Sequence, residues 1–137
     1  MIKILMGEKG SGKTKAFIEM VNTAAEQENG NVVCIAQGNR HLFDVKSSVR
    51  LSDTSEFKTD SYEAFTGYVS GILSRDYDIT HVFIDSVTKI TGKSVAESDA
   101  FFDELARLSD KLNISFTLTI SAPVNEATDK IKDYIVK

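Results

Sequence analysis

The sequence predicts an α/β protein, a three-layer α/β/α sandwich built around a mostly parallel sheet. Three observations predict it. Short apolar runs alternate with longer segments of helical period; the first run opens directly into a glycine-rich loop, "GEKGSGKT"; and a later run, "HVFID", is apolar until it stops at an acid. Strands that alternate with helices need crossover connections, which put helices on both faces and leave the sheet between them mostly parallel.

Ile2 to Met6 is too short for a helix and reads as a buried strand. From Lys13 onward Phe17, Met20, Val21, Ala24 and Ala25 recur at the spacing of one helix face, and Asn29 with Gly30 supplies the stop. "NVVCIAQG" gives a second strand from about Val32 to Gln37. The polar stretch after it carries no pattern, and Val49 to Asp53 alternates as a short third strand. Asp60 and Glu63 have the spacing of a capping box, ahead of a helix whose face is Phe65, Tyr68, Val69, Ile72 and Leu73 and which ends near Arg75. Gly67 and Gly71 weaken that helix by about 1 kcal/mol each.

His81 to Asp85 is the next strand. Ser94 and Glu97 repeat the capping-box spacing and open a long helix with Phe101, Phe102, Leu105, Leu108 and Leu112 inward, and with Glu97, Asp103, Glu104 and Lys111 outward. "ISFTLTIS" is the last strand. Pro123 stands where a final helix begins, with Val124, Ala127, Ile131 and Ile135 on one stripe. No repeat, low-complexity tract or linker interrupts the chain, so residues 1–137 read as one domain.

Composition bounds the function. At 137 residues there is room for a single core, and 42% hydrophobic with 26% charged residues is the make-up of an ordinary globular protein rather than a disordered one. The net charge is −4 with the charges interspersed, which argues against nucleic acid as a main partner, since that is gripped through a basic stripe. Met1 leads straight into the first strand without a signal peptide, and no apolar run approaches the roughly 20 residues that span a bilayer; a cytoplasmic location is expected. Cys34, the one cysteine, lies within an apolar strand and reads as a small buried hydrophobe. His41 and His81 stand alone, without cysteines, histidines or carboxylates at ligand spacing, so no zinc site is expected. Tyr77, Phe83, Phe101, Phe102 and Phe116 fall on core-facing stripes.

The glycine loop carries the chemistry. Gly7, Gly12, Lys13 and Thr14 satisfy G-x-x-x-x-G-K-[ST] between a predicted strand and a predicted helix, which is the context the pattern requires. Wrapping successive backbone N–H groups around a phosphate calls for left-handed or bridging dihedrals and no side chain in the way, hence glycine at Gly7, Gly10 and Gly12. The first turn of the next helix adds unpaired N–H donors and a positive dipole end. Lys13 neutralises the outer phosphates, and the Thr14 hydroxyl is set to ligate Mg²⁺. Gly7, Glu8, Lys9, Gly10, Ser11, Gly12, Lys13 and Thr14 are the expected phosphate-binding set.

On these residues the sequence resembles the P-loop NTPase superfamily: "GEKGSGKT" is a full match to its Walker A motif, and "THVFIDS" looks like its Walker B motif. The resemblance implies the P-loop fold, Mg-ATP as the ligand, and Asp85 holding Mg²⁺ through its water shell beside Thr14. "FIDSVTKI" is further similar to the RecA-like branch, where Asp-Ser follows the Walker B strand; that likeness implies that Ser121, ending "TLTIS", is a polar sensor of the γ-phosphate. "TKIT" and "SDKLN" do not supply the [NT]-K-x-D segment of guanine-selective members, so ATP is expected over GTP. The chain also resembles short bacterial P-loop proteins often labelled twitching-motility ATPases, although 137 residues are expected to leave no room for the extra domain and histidine-rich box of pilus-retraction motors.

Two positions depart from the superfamily pattern. Ser86 follows Asp85 where many such enzymes carry glutamate, and the second strand ends in Ala36 and Gln37 where RecA-like proteins place theirs. Gln37 can orient a water but cannot accept its proton, so Lys13, Asp85 and Gln37 are expected to support only slow hydrolysis. Arg40, Arg50, Arg75 and Arg107 are each open to a trans role, in a homo-oligomer or with an unidentified protein partner, and nothing selects among them. Beside the slow ATPase stand two alternatives: a nucleotide-dependent interaction module, and a small-molecule kinase, whose acceptor pocket and lid usually demand more chain.

Overall fold

Five short apolar or alternating segments become strands: β1 (Ile2–Gly7), β2 (Asn31–Ala36), β3 (Arg50–Asp53), β4 (Ile79–Ile84) and β5 (Ser115–Ser121). They form one sheet in the order β1-β5-β4-β2-β3, and every pairing is parallel. The computed structural model describes residues 1–39, 41 and 44–136. One sheet face is covered by α1 (Lys13–Gln27), the other by α2 (Tyr62–Arg75), the short α3 (Val87–Thr91) and α4 (Asp99–Leu112). This is the three-layer α/β/α sandwich that the alternation of elements predicts.

The two layers bury different things. Under α2 and α4 lies the larger core, in which Phe65, Phe101, Phe102 and Leu105 meet Ile4, Val33, Ile35, Val82, Ile84 and the Phe116, Leu118 and Ile120 side of β5. Under α1 lies a smaller one of Phe17, Val21 and Ala24 against Val32, Cys34 and Phe83. Side chains alternate across a strand, so the other side of β5 presents Thr117 and Thr119 towards α1, each 1% exposed. Because all strands run the same way, the loop after β1, Ser121 and Asp85 share the carboxyl edge of the sheet, with β5 between β1 and β4.

Several local expectations are corrected. Ser61, not Asp60, caps α2: its Oγ accepts from the Ala64 N–H at 3.0 Å. Ser94 and Glu97 do form a capping box, but it closes a single 3₁₀ turn, Val95–Glu97, and α4 starts at Asp99. Leu112 is the last residue of α4 and is 41% exposed instead of facing inward. Tyr77 lies beyond the end of α2, where the helical period no longer applies, and is 87% exposed. No final helix follows Pro123; two 3₁₀ turns, Val124–Glu126 and Lys132–Tyr134, stand in its place. Ala127 and Ile131 are buried as read, but Ala127 is extended and Thr128 Oγ1 donates to Asp99 Oδ1 at 2.6 Å, a tertiary tie that overrides a weak helical pattern. Ile135 instead lies parallel beside Ile4, and the Val136 N–H donates to the Ile4 carbonyl at 2.9 Å. Cys34 is fully buried, which together with nearby Asp85 pushes its thiol up to about 12. Among the described residues no helix is long and apolar enough to cross a membrane.

Candidate functional site

A cleft of about 610 Å³ opens at the carboxyl edge of the sheet. Lys9, Gly10, Gly12, Lys13 and Thr14 line it from the glycine loop and the start of α1, Asp85, Ser86, Thr88 and Lys89 from the end of β4 and α3, and Thr119 and Ser121 from β5 between them. Open parallel sheets place their ligand crevices at this edge.

The glycines of the loop are needed for two different reasons. Gly10 and Gly12 have φ of 88° and 85°, a left-handed backbone that other residues adopt at a cost, yet a Cβ on either would meet nothing within 4 Å. At Gly7, whose φ is not left-handed, a Cβ would stand 2.7 Å from Ser11 Oγ and 3.3 Å from Ser11 Cβ, so Ser11 would have to give way. Gly12 is also the N-cap of α1, and it has no side chain with which to occupy the first-turn N–H donors. Lys13 lies folded over the loop, its Nζ donating to the Glu8 carbonyl at 3.0 Å and to Ser11 Oγ at 3.3 Å. Neither Glu8 nor Ser11 is on the cleft wall. Register places Ser121 directly beside Gly7, and the Ala122 N–H donates to the Gly7 carbonyl at 3.1 Å, so the end of β5 is tied to the start of the loop.

On the opposite wall Asp85 is held from two sides. It is 3% exposed; Oδ1 accepts from Thr119 Oγ1 at 2.7 Å, and Oδ2 lies 2.7 Å from His41 Nε2. With Asp85 ionised the carboxylate can only accept, which would put the proton of that second bond on Nε2. Thr119 also accepts from the Ser86 N–H at 2.7 Å, which links β5 to the turn that begins α3. Ser86 itself is left-handed, with φ 59° and ψ 62°. Such a dihedral on a residue with a Cβ costs on the order of 1–3 kcal/mol and persists where the surroundings fix it.

His41 is therefore not solitary, as its spacing suggests, but paired with an acid 44 positions away. Thr88, Lys89 and Thr119 were not legible as site residues; the one signal in the sequence is that Ser115, Thr117, Thr119 and Ser121 put hydroxyls on the same side of a strand. Gln37 follows β2 and is not on the cleft wall. Of the arginines, Arg50 pairs with Asp76 at 2.8 Å and Arg107 with Glu104 at 2.7 Å, and neither these nor Arg75 line the cleft; Arg40 lies outside the described residues.

His81 has a different role and is not on the cleft wall. Its Nδ1 is 2.7 Å from Glu28 Oε2 and its Nε2 is 2.8 Å from Thr117 Oγ1, while the ring stacks on Phe83 at 4.0 Å between centroids. Thr80 Oγ1 donates to the other oxygen of Glu28 at 2.7 Å, so the residue that ends α1 is fastened to β4. Burial holds the His81 imidazole below its usual pKa, outweighing the opposing effect of Glu28.

Fold and cleft together define the class: an α/β fold with an all-parallel five-stranded sheet and a glycine-rich loop opening its first helix at the carboxyl edge. No protein-family profile matches the chain, and no curated protein matches it. Among solved structures it is similar to a KaiC-like protein from the hyperthermophilic archaeon Pyrococcus horikoshii OT3, with a TM-score of 0.59 at 17% sequence identity, over 96% of this chain and 65% of that one. The chain thus spans 65% of the length of that protein, and the likeness is one of fold. It lends nothing to the twitching-motility label.

Proposed function

We propose that residues 1–137 form a single nucleotide-binding domain, a cytoplasmic protein that binds Mg-ATP and hydrolyses it slowly or only with a partner. The observation that supports this most is the pairing of left-handed Gly10 and Gly12, open space above both, and the uncapped start of α1 at one wall of the cleft. Backbone N–H groups so arranged bind a phosphate. Lys13 leaves its loop contacts to meet the outer phosphates, while Lys9 and Lys89 add cationic side chains to the cleft of a chain whose net charge is −4. Glu8 and Ser11 shape the loop, the Ser11 N–H donating to the Glu8 carbonyl at 3.1 Å, and Ser121 on the cleft wall is the candidate sensor of the terminal phosphate.

The Thr14 hydroxyl and the Asp85 carboxylate both line the cleft, and oxygen donors of this kind suit Mg²⁺. When bound there, Mg²⁺ would offset charge on the β- and γ-phosphate oxygens. Thr119 and Ser86 keep Asp85 in place on the protein's side of that contact. Among the described residues Asp85 is the one carboxylate on the cleft wall, and it is already hydrogen-bonded at both oxygens. A base for the attacking water is thus not evident, and Gln37 has no part in this reading. The same observation favours a second reading, a nucleotide-dependent interaction module that works by binding without turnover.

Calorimetry with ADP and ATPγS, alongside ATP turnover, tests the proposal. Wild-type protein is expected to bind both nucleotides, and Lys13→Ala to weaken binding by about tenfold or more, the worth of a charge-assisted contact. Turnover by the isolated chain above about 1 s⁻¹ contradicts slow hydrolysis. Tight binding with no turnover at any protein concentration selects the interaction module.

A further inference from the structure

We infer that His41 is a positioning residue for the Asp85 carboxylate, fixing the orientation in which it meets the divalent cation of the cleft; this rests on the nucleotide reading above. His41 and Asp85 are each 3% exposed, and 2.7 Å separates Nε2 from Oδ2. Thr119 holds the other oxygen at 2.7 Å from β5. Oδ1 is held by Thr119 Oγ1 and, at 3.4 Å, by Ser86 Oγ, and Oδ2 by His41 from a different part of the chain, so the carboxylate cannot rotate without breaking at least one of these bonds.

Packing alone does not explain a histidine here. The ring stands 6.0 Å from Phe17 between centroids, at 46°, a contact that needs an aromatic ring but no polar nitrogen. Among the described residues, Asp85 is the hydrogen-bond partner of the ring, at Nε2. Asp85 lines the cleft and His41 does not, so His41 acts through the acid and not on the ligand. Hydrogen-bond partners of a metal-ligating group typically govern about 10–100-fold of metal affinity. His41 sits on the connection between β2 and β3, which ties that connection to the cation side of the cleft.

The test uses the full chain. His41→Phe keeps the packing and removes the donor; His41→Gln keeps an N–H. ADP affinity is measured by calorimetry in EDTA, and Mn²⁺ affinity of the ADP complex by electron paramagnetic resonance. His41→Phe is expected to bind ADP in EDTA as wild type does, yet to hold Mn²⁺ about tenfold or more weakly, with most of the loss restored in His41→Gln. Unchanged Mn²⁺ affinity in His41→Phe overturns the assignment, as does an equal loss in His41→Gln or a matching loss of ADP affinity in EDTA. If His41→Phe does not fold, His41→Asn, whose amide is too short to reach Asp85, takes its place with the same expected loss. Absence of ADP binding by wild type would instead overturn the nucleotide reading, which separates the two failures.

Discussion

The two faces of the sheet are built to different rules. On the α2 and α4 side β1, β2, β4 and β5 contribute Ile4, Ile35, Ile84, Phe116, Leu118 and Ile120, all with no exposed surface, to one apolar core. On the α1 side the same strands bury Thr117, Thr119 and Asp85, and these are hydrogen-bonded to His81, Ser86 and His41 between patches of Phe17, Cys34 and Phe83. Apolar burial stabilises the fold through area removed from water, whereas a buried polar group contributes little net stability and costs much when its partner is lost. The difference teaches that one face holds the domain together while the other organises the cleft, and β5 serves both by alternation.

Changes on the two faces should therefore separate stability from binding. The largest effect expected is that of Phe116→Ala, about 3–5 kcal/mol of unfolding free energy in urea titrations, with nucleotide affinity of the remaining folded protein unchanged. Thr119→Val makes the second face apolar where it meets the cleft. It should cost about 1–3 kcal/mol by the same titration, and it should also weaken Mg-dependent nucleotide binding, which Phe116→Ala does not. Gly12→Ala meets no steric obstacle, so its cost should be only the left-handed dihedral, about 1–2 kcal/mol in thermal denaturation, together with weaker ADP binding.

The smallest effect concerns His81. Its pKa is lowered by burial, so the unfolded chain takes up the proton first: stability is full above the ordinary histidine value of about 6.5 and falls as pH drops below it towards the folded-state pKa. Urea midpoints at pH 7.5 and 5.5 should differ less in His81→Gln than in wild type. An equal or larger difference would show that another group carries the pH dependence.

The parts of this picture legible in the sequence are those written over a few consecutive residues. The glycine loop spells out its own dihedrals between Gly7 and Thr14, and the short runs around Ile4, Val33, Val82 and Leu118 announce strands by length and composition. What stayed hidden depends on strand order. Asp85 meets Thr119 and His41 because β4 lies between β5 and β2, an order that no local pattern encodes. The missing helix after Pro123 failed for a related reason: a 3.6-residue stripe of Val124, Ala127, Ile131 and Ile135 was real as burial at two positions, but contacts with Asp99 and Ile4 set the backbone instead. α3 is not legible because five residues after a left-handed serine are too few to show a period.

Amide chemical shifts of the isotopically labelled chain, recorded by NMR as Mg-ATP is added, test the central claim most directly. Phosphate capture by the loop predicts large movements at Gly10, Gly12, Lys13 and Thr14 and almost none along α2. Shifts absent from the loop at millimolar nucleotide, or concentrated on α2, would contradict it.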